Sequence, residues 1–500
     1  LLTPWESYGT YPSDPKILSH IQENPSRNRV AQYGYYCIDE IIEKVKPDVY
    51  IGIEDIWAFR EFEKKDWWKK TNTIIWTTLD SLPILDLAQE VYSSCDKMLV
   101  WASFAEREMK KLGCPKVETL HGAVDYSHFR PLKNRKELRA RFGLSDDYVI
   151  GFVFKNQLRK SVPNLLDGFK KFKEQNKDSK AKLLLHTDWS EKNSGWDIEK
   201  YIKEKGIKNE EVLSTYVCHA CDSYSVAPYK GEDLDCKSCG SPKSLKTKTS
   251  QKGVGEQELN EIYNLMDVYC HPFTSGGQEL PIQEAKAAGL ITLVTDYSCG
   301  EDSCGEEQGG LPLSWSEYRE PSTNFIKAST DPDSISEQLC RVYKMSEKEK
   351  NILTSNGKRN IIEKFSVDKT TSKLKKIIKE CLDNSDKKNK SGNKENLQKE
   401  NEKEKEERLT IKDVLDDEGS ENRILIVMPE NGSSVLMINS LLKNIKKTYP
   451  EKNIYLSIDM SLQCLVNDNE NLHKVIPYTR SFDNSLALEG RMQDAGYFDI

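Results

Sequence analysis

Tyr148-Val149-Ile150-Gly151-Phe152-Val153-Phe154 is an apolar run with no alternating polar partner. A strand that reads this way is covered on both faces, and such sheets are built from parallel strands between layers of helix. The surroundings have the matching rhythm. A helical stretch at 162–175 precedes Ala181-Lys182-Leu183-Leu184-Leu185-His186. A helix at 256–266, a strand at 267–270, a helix at 281–288, a strand at 290–295 and a helical tail over 333–381 follow. Residues 1–130 repeat the pattern. Val49-Tyr50-Ile51-Gly52-Ile53, Thr73-Ile74-Ile75-Trp76-Thr77 and Lys97-Met98-Leu99-Val100-Trp101 read as strands, and 103–112 reads as a helix. Strands separated by helices predict parallel sheets with crossover connections, hence two successive α/β domains, 1–130 and 131–382.

Between 383 and 408 the character changes: 16 of 26 residues are charged, and Leu397 is the one large apolar side chain. Such a stretch buries too little surface to offset the entropy of ordering, so 383–420 is expected to be a disordered linker. Arg423-Ile424-Leu425-Ile426-Val427-Met428-Pro429 reopens an α/β pattern, with a helix at 434–448 and a strand at Asn453-Ile454-Tyr455-Leu456-Ser457-Ile458. Residues 421–500 therefore read as part of a third domain, in keeping with 500 residues at about 150 per domain. Leu1-Leu2-Thr3-Pro4-Trp5 reads as the inside of a domain and Gly496-Tyr497-Phe498-Asp499-Ile500 as a strand, so both ends are expected to be cut. A net charge of −7 argues against a nucleic-acid coat or a polybasic membrane anchor. No apolar run approaches the roughly 18 residues that span a bilayer.

Thirteen cysteines is an odd number, and four of them form two C-x2-C pairs. That usage fits a reducing, cytoplasmic setting with one metal site. Cys218, Cys221, Cys236 and Cys239 have 14 residues between the pairs. Two knuckles at this separation place four thiolates around Zn²⁺, and four cysteines leave no open position, so the ion is expected to be structural. Free buried thiols or a redox pair are the alternatives. The ribbon, at about 214–246, is an insertion inside the second domain.

Chemistry concentrates in Thr274-Ser275-Gly276-Gly277-Gln278-Glu279-Leu280-Pro281-Ile282-Gln283-Glu284-Ala285-Lys286-Ala287-Ala288-Gly289. A glycine-rich loop follows a strand and opens a helix, where backbone N–H groups attract phosphate. Glycines let a ligand approach the backbone, and Glu284 is placed to accept from sugar hydroxyls.

These residues resemble the donor domain of family 4 glycosyltransferases, which have the two-Rossmann GT-B fold. Glu284-Ala285 and Gly289 match the second half of that family's Glu-x7-Glu signature, and Gly276 stands where the first Glu falls. Thr119-Leu120-His121-Gly122-Ala123-Val124-Asp125 with Phe129-Arg130-Pro131 is similar to the interdomain segment, and Glu363-Lys364-Phe365-Ser366 to the closing segment. The resemblance implies that Glu284 holds the donor ribose, that Lys155, Arg159 and Lys160 grip the diphosphate, and that Gly276, Gly277 and Glu279 lie at the sugar. It also implies transfer from a nucleotide sugar to a glycan, lipopolysaccharide-like or other carbohydrate acceptor, with retention and without a catalytic metal. The residue-level alternatives are surface charges for Lys155 and Lys160, a helix-start charge for Glu284, a linker role for His121 and a structural role for His186. His271 is a further candidate for substrate contact.

On the acceptor side, Glu54 and Asp80 follow strands and can bind sugar hydroxyls, with His121 as a third candidate. Trp57, Trp67, Trp68 and Trp76 offer stacking surfaces, although core packing is the commoner use. Arg423 to Ile500 resembles the N-terminal half of heptosyltransferase-like family 9 enzymes, with Gly432-Ser433-Ser434 in place of that family's Gly-Asp loop. Together these features predict a multidomain glycosyltransferase of polysaccharide biosynthesis, with no nucleic-acid partner. The competing expectation is an inactive GT-B scaffold whose ribbon recruits a partner.

Overall fold

Val/Ile-rich runs build the first sheet. Val49–Asp55 (β1) and Asn72–Thr78 (β2) pair in parallel, and Lys97–Val100 (β3) and Glu118–Thr119 (β4) complete the order β1-β2-β3-β4. Ile74 and Ile75 in β2 are fully buried, as a central parallel strand requires. The computed structural model describes residues 2–3, 18–19, 38–249, 252–392, 423–428, 441–458, 460–466 and 469–477. Trp67 and Trp68 are core: Tyr50 packs edge-on to Trp67 with ring centroids 5.0 Å apart, and Phe62 packs against both tryptophans. Trp76 stacks on Trp101 at 4.4 Å and donates its indole N–H to Leu120 O.

The second sheet has eight strands: Tyr148–Val153 (β5), Ala181–His186 (β6), Val212–Cys218 (β7), Tyr224–Pro228 (β8), Leu245–Thr247 (β9), Val268–His271 (β10), Thr292–Thr295 (β11) and Gly310–Leu313 (β12). The main path is β8-β7-β6-β5-β10-β11-β12, with β9 also on β7. Without antiparallel β8 and β9, the parallel strands run third-second-first-fourth-fifth-sixth, the doubly wound order. The four Leu and Val runs expected as strands here all form, and Val162–Gln175, Glu256–Leu265 and Leu280–Ala287 form the expected helices.

A hairpin, Trp315–Arg319 (β13) with Ile326–Thr330 (β14), follows the sheet. The expected tail resolves into Pro332–Lys344, Glu347–Asn360 and Val367–Gly392. The last of these returns to the first sheet, where Ile377 and Cys381 bury against Ile74, Trp76, Leu99 and Leu120. Both sheets thus belong to one compact unit, Leu1–Ser391.

The second unit, Gly392–Ile500, contains a parallel sheet of Arg423–Met428 (β15), Asn453–Ile458 (β16) and Lys474–Pro477 (β17). Leu442, on the helix at 441–448, buries against Ile424 and Ile454. Residues 383–392 of the expected linker continue the Val367–Gly392 helix; residues 393–420, the Gly432-Ser433-Ser434 loop and the expected strand at Gly496–Ile500 lie outside the described residues. Among the described residues, no helix is long and apolar enough to cross a membrane.

Candidate active site

Strand order reverses between β5 and β10, and open α/β sheets bind ligands at the carboxyl ends of the strands beside such a switch point. Two loops meet there. The loop after β5 carries Lys155, Arg159 and Lys160; the loop after β10 carries Thr274 to Glu279. Glu279 is their hub. Its carboxylate accepts from Arg159 Nη1 and from Lys160 Nζ, and His271 Nε2 lies 3.2 Å away. The Lys160 and Glu279 side chains are 4% and 3% exposed, whereas Arg159 is 39% exposed.

Burial alone would raise the Glu279 carboxyl. The Lys160 ammonium, the His271 hydrogen bond and the Arg159 charge outweigh burial and hold it well below the usual carboxylate range. Burial also pulls Lys160 down, with Glu279 opposing it. Three partners act on the carboxylate and one on the ammonium, so the ionised pair is the native form. Burial pushes His271 down to about 4, which leaves the ring neutral. A carboxylate only accepts, so Nε2 carries the proton and Nδ1 accepts from the Tyr269 hydroxyl at 2.9 Å.

Gly276 and Gly277 are small for separate reasons. A Cβ at 276 would stand 2.6 Å from Glu279 Oε1, so the Glu279 carboxylate fills the space where a side chain at 276 would begin. A Cβ at 277 would stand 2.4 Å from Thr78 Cγ2, at the end of β2. Glycine there lets the loop close onto the first domain. Gln278 secures the contact: its Oε1 accepts from Gly122 N at 2.6 Å and its Nε2 donates to Gly122 O at 2.9 Å.

Asp80 joins this cluster from the first domain. Its Oδ2 accepts from Ser275 Oγ at 3.1 Å, and its carbonyl lies 2.7 Å from Ser298 Oγ. Buried Lys327 on β14 donates to Ser81 Oγ and Ser275 Oγ, each at 2.7 Å. Arg159, Lys160, Gly276, Gly277, Glu279 and Asp80 are therefore brought together. Lys327 was not legible as a site residue, because the hairpin that delivers it has no motif around it. The three Glu279 partners were each candidates in sequence, Arg159 and Lys160 at the diphosphate and His271 at a strand end, but nothing there signalled that they meet on one carboxylate.

Glu284 lies apart from this hub. Its Oε2 accepts from Tyr263 Oη at 2.6 Å, and burial raises its carboxyl. Lys155 is exposed. Glu54 accepts from Asp55 N at 3.0 Å, and burial raises it as well. His121 donates from Nδ1 to Trp101 O at 3.0 Å and packs on Phe365; burial pulls its pKa below the ordinary value, with Asp302 opposing. His186 is buried against Thr215 Oγ1 at 2.7 Å, and burial pushes it down to about 3.

The four ribbon cysteines converge. Cys218 Sγ lies 3.7 Å from Cys239 Sγ, Cys221 Sγ lies 3.9 Å from Cys236 Sγ, and all four sulfurs fall within 4.8 Å of one another. Sulfurs held tetrahedrally at about 2.3 Å from Zn²⁺ stand about 3.8 Å apart, so this cradle fits the ion.

No family model and no curated protein matches the chain. Solved structures do match. The chain is similar to a glycosyltransferase from Rickettsia africae ESF-5, with a TM-score of 0.52 and 13% identity, over 73% of this chain and 85% of that one. It is similar to Anabaena HepE, solved in complex with UDP and glucose, with a TM-score of 0.51 and 9% identity, over 73% and 86% of the two chains. It is also similar to sucrose-phosphate synthase from Thermosynechococcus elongatus, with a TM-score of 0.53 and 12% identity, over 74% and 86%. At such identities the likeness speaks for the fold, which is GT-B: two Rossmann-like domains, here with a four-cysteine insertion and a further α/β unit.

Proposed function

We propose that the chain is a glycosyltransferase that moves a hexose-like sugar from a nucleoside diphosphate to a carbohydrate acceptor, with retention, in a cytoplasmic setting. The observation that carries this reading is the convergence of Arg159, Lys160, Glu279 and His271 at the switch point of a GT-B sheet, opposite Asp80 of the first domain. The bound ligands of Anabaena HepE make a nucleoside diphosphate the first donor class to try.

As the bond to the sugar breaks, the departing diphosphate gains negative charge. Fixed cations and N–H groups in a partly closed site stabilise that charge without reorganising. Arg159 and Lys160 would face the diphosphate, Glu284 the ribose, and Glu279 with the Gly276-Gly277 backbone the sugar. Asp80, Glu54 and His121 would serve the acceptor side. Cys218, Cys221, Cys236 and Cys239 would hold Zn²⁺, which supplies cohesion to the ribbon. Residues 421–500 are read as part of another glycosyltransferase-like domain.

One observation favours a second reading. Glu279 already pairs with both Arg159 and Lys160 and leaves one net positive charge among the three groups, as in a scaffold that binds no donor. The test is nucleoside diphosphate release from a panel of nucleotide sugars, with carbohydrate acceptors present. The catalytic reading expects release with one donor, with a product of the donor's anomeric configuration, and loss of release in Arg159→Ala. A folded protein that turns over no donor in the panel would favour the scaffold.

A further inference from the structure

Each strand has two edges to offer. On β7, β8 takes one edge along 213–217, and β6 takes the start of the other along 212–214. β9 pairs with 216–218 while β8 still occupies 216 and 217, so β9 continues along the β6 edge, past the end of β6. It runs antiparallel. The chain therefore leaves the cysteine cluster at Leu245, opposite Cys218, and heads back toward the carboxyl edge of the parallel sheet. The first residue beyond β9 is Lys248.

Its approach is fixed. Thr247 N and Oγ1 donate to Glu232 at 2.8 and 2.7 Å, and Trp189 N donates to Thr247 Oγ1 at 3.3 Å. Trp189 stacks flat on Tyr229 at 3.9 Å. Lys248 is half-buried, and its charge acts on Asp188 and Glu191, in the loop after β6, and on Lys155 and Glu284. Among the described residues, neither the Lys248 nor the Lys155 ammonium has a hydrogen bond or ion pair. Arg159 and Lys160 are both committed to Glu279. Those two cations share one carboxylate and keep one net positive charge between them, and Lys155, from the loop after β5, and Lys248, from the ribbon, are the further cations beside Glu284. Burial pulls the Lys248 ammonium down and Lys155 adds to that pull, while Asp188, Glu191 and Glu284 oppose it; a bound anion would act in the same sense as these carboxylates.

We propose that Lys248 is a donor-binding residue delivered by the ribbon, which with Lys155 takes the phosphate charge of the nucleoside diphosphate beside Glu284. This rests on the nucleotide-sugar reading. It gives the insertion a functional reason. Four bound thiolates fix Cys218, Cys218 fixes the register of Leu245, and three residues of extended chain, about 10 Å, separate that point from Lys248. Metal occupancy is then coupled to donor affinity.

The test is calorimetric titration of the zinc-loaded full chain with UDP, ADP, GDP, CDP and dTDP, and with inorganic pyrophosphate. A charge-assisted contact predicts about tenfold weaker binding of the preferred ligand in Lys248→Ala and near-normal binding in Lys248→Arg. Stripping the zinc should reproduce the loss while far-UV circular dichroism still reports the sheets. Wild-type affinity in Lys248→Ala overturns the proposal and leaves the donor reading intact. A folded, zinc-loaded wild type that binds none of the six ligands overturns the donor reading, and this proposal with it.

Discussion

Glu279→Gln is the most informative single change. It keeps the shape of the side chain and removes its charge. Lys160, 4% exposed, is then left with an ammonium and no carboxylate. Removing one partner of a buried ion pair costs about 3–5 kcal/mol, most of it the uncompensated charge left behind. Arg159 is 39% exposed and solvent screens it, so its lost pairing adds at most about 1 kcal/mol. The expected loss is therefore set by Lys160. Pairing the change with its partner, as Glu279→Leu with Lys160→Met, should recover most of the loss, because an apolar pair avoids desolvating two charges. Urea unfolding followed by tryptophan fluorescence is the assay. All nine tryptophans precede residue 392, so the signal reports the first unit alone. The pH dependence has a definite sign. A carboxyl whose folded pKa lies below its unfolded value of about 4.3 contributes stability that is full above that value and is lost as pH falls through the folded pKa. The gap between wild type and Glu279→Gln should be constant from pH 5 to 8 and shrink only in stronger acid. A cost below about 1 kcal/mol at pH 7 would refute the reading of a buried ion pair as the hub of the site.

Other changes follow from the same geometry. The full chain should retain about one zinc per molecule through gel filtration, and Cys236→Ser should abolish that retention in a metal assay. Gly277→Ala should lower the melting temperature, because overpacking costs about 1–3 kcal/mol and the new methyl would meet Thr78 Cγ2 at 2.4 Å. Gly151→Ala should destabilise to a similar degree by urea titration, since its Cβ would press on Met266 Sδ at 2.0 Å. Lys327→Met should leave the Ser81 and Ser275 hydroxyls without their shared hydrogen-bond donor and cost about 1–3 kcal/mol by urea titration.

Much of the architecture was legible because buried parallel strands have a signal of their own. The runs at 148–154 and 181–186, and the helices between strands, follow from apolar continuity and period alone. The cysteine spacing pointed to the cluster because ligand geometry is local to two short knuckles. What stayed hidden depends on contacts across long stretches of chain. The return of Val367–Gly392 to the first sheet is one case, since an amphipathic helix does not announce which face it covers. The hairpin at 315–330 is another, because its outer strand is largely exposed and polar. Glu279 was recognised as a residue near the donor loop, but its three partners come from 159, 160 and 271, and no spacing rule links them. Lys248 is invisible in sequence for the same reason: its meaning comes from the edge of β7 that β9 occupies.

The proposed activity requires the first unit to bind a nucleoside diphosphate. A thermal-shift screen of the zinc-loaded full chain against nucleoside diphosphates and nucleotide sugars tests it most directly. A ligand that binds only the native state at one hundred times its Kd adds about 2.7 kcal/mol of stability. Donor binding should give a concentration-dependent rise in melting temperature with one base, reduced in Lys248→Ala and lost in Arg159→Ala. No rise with any nucleotide, in protein that is folded and holds its zinc, would contradict it.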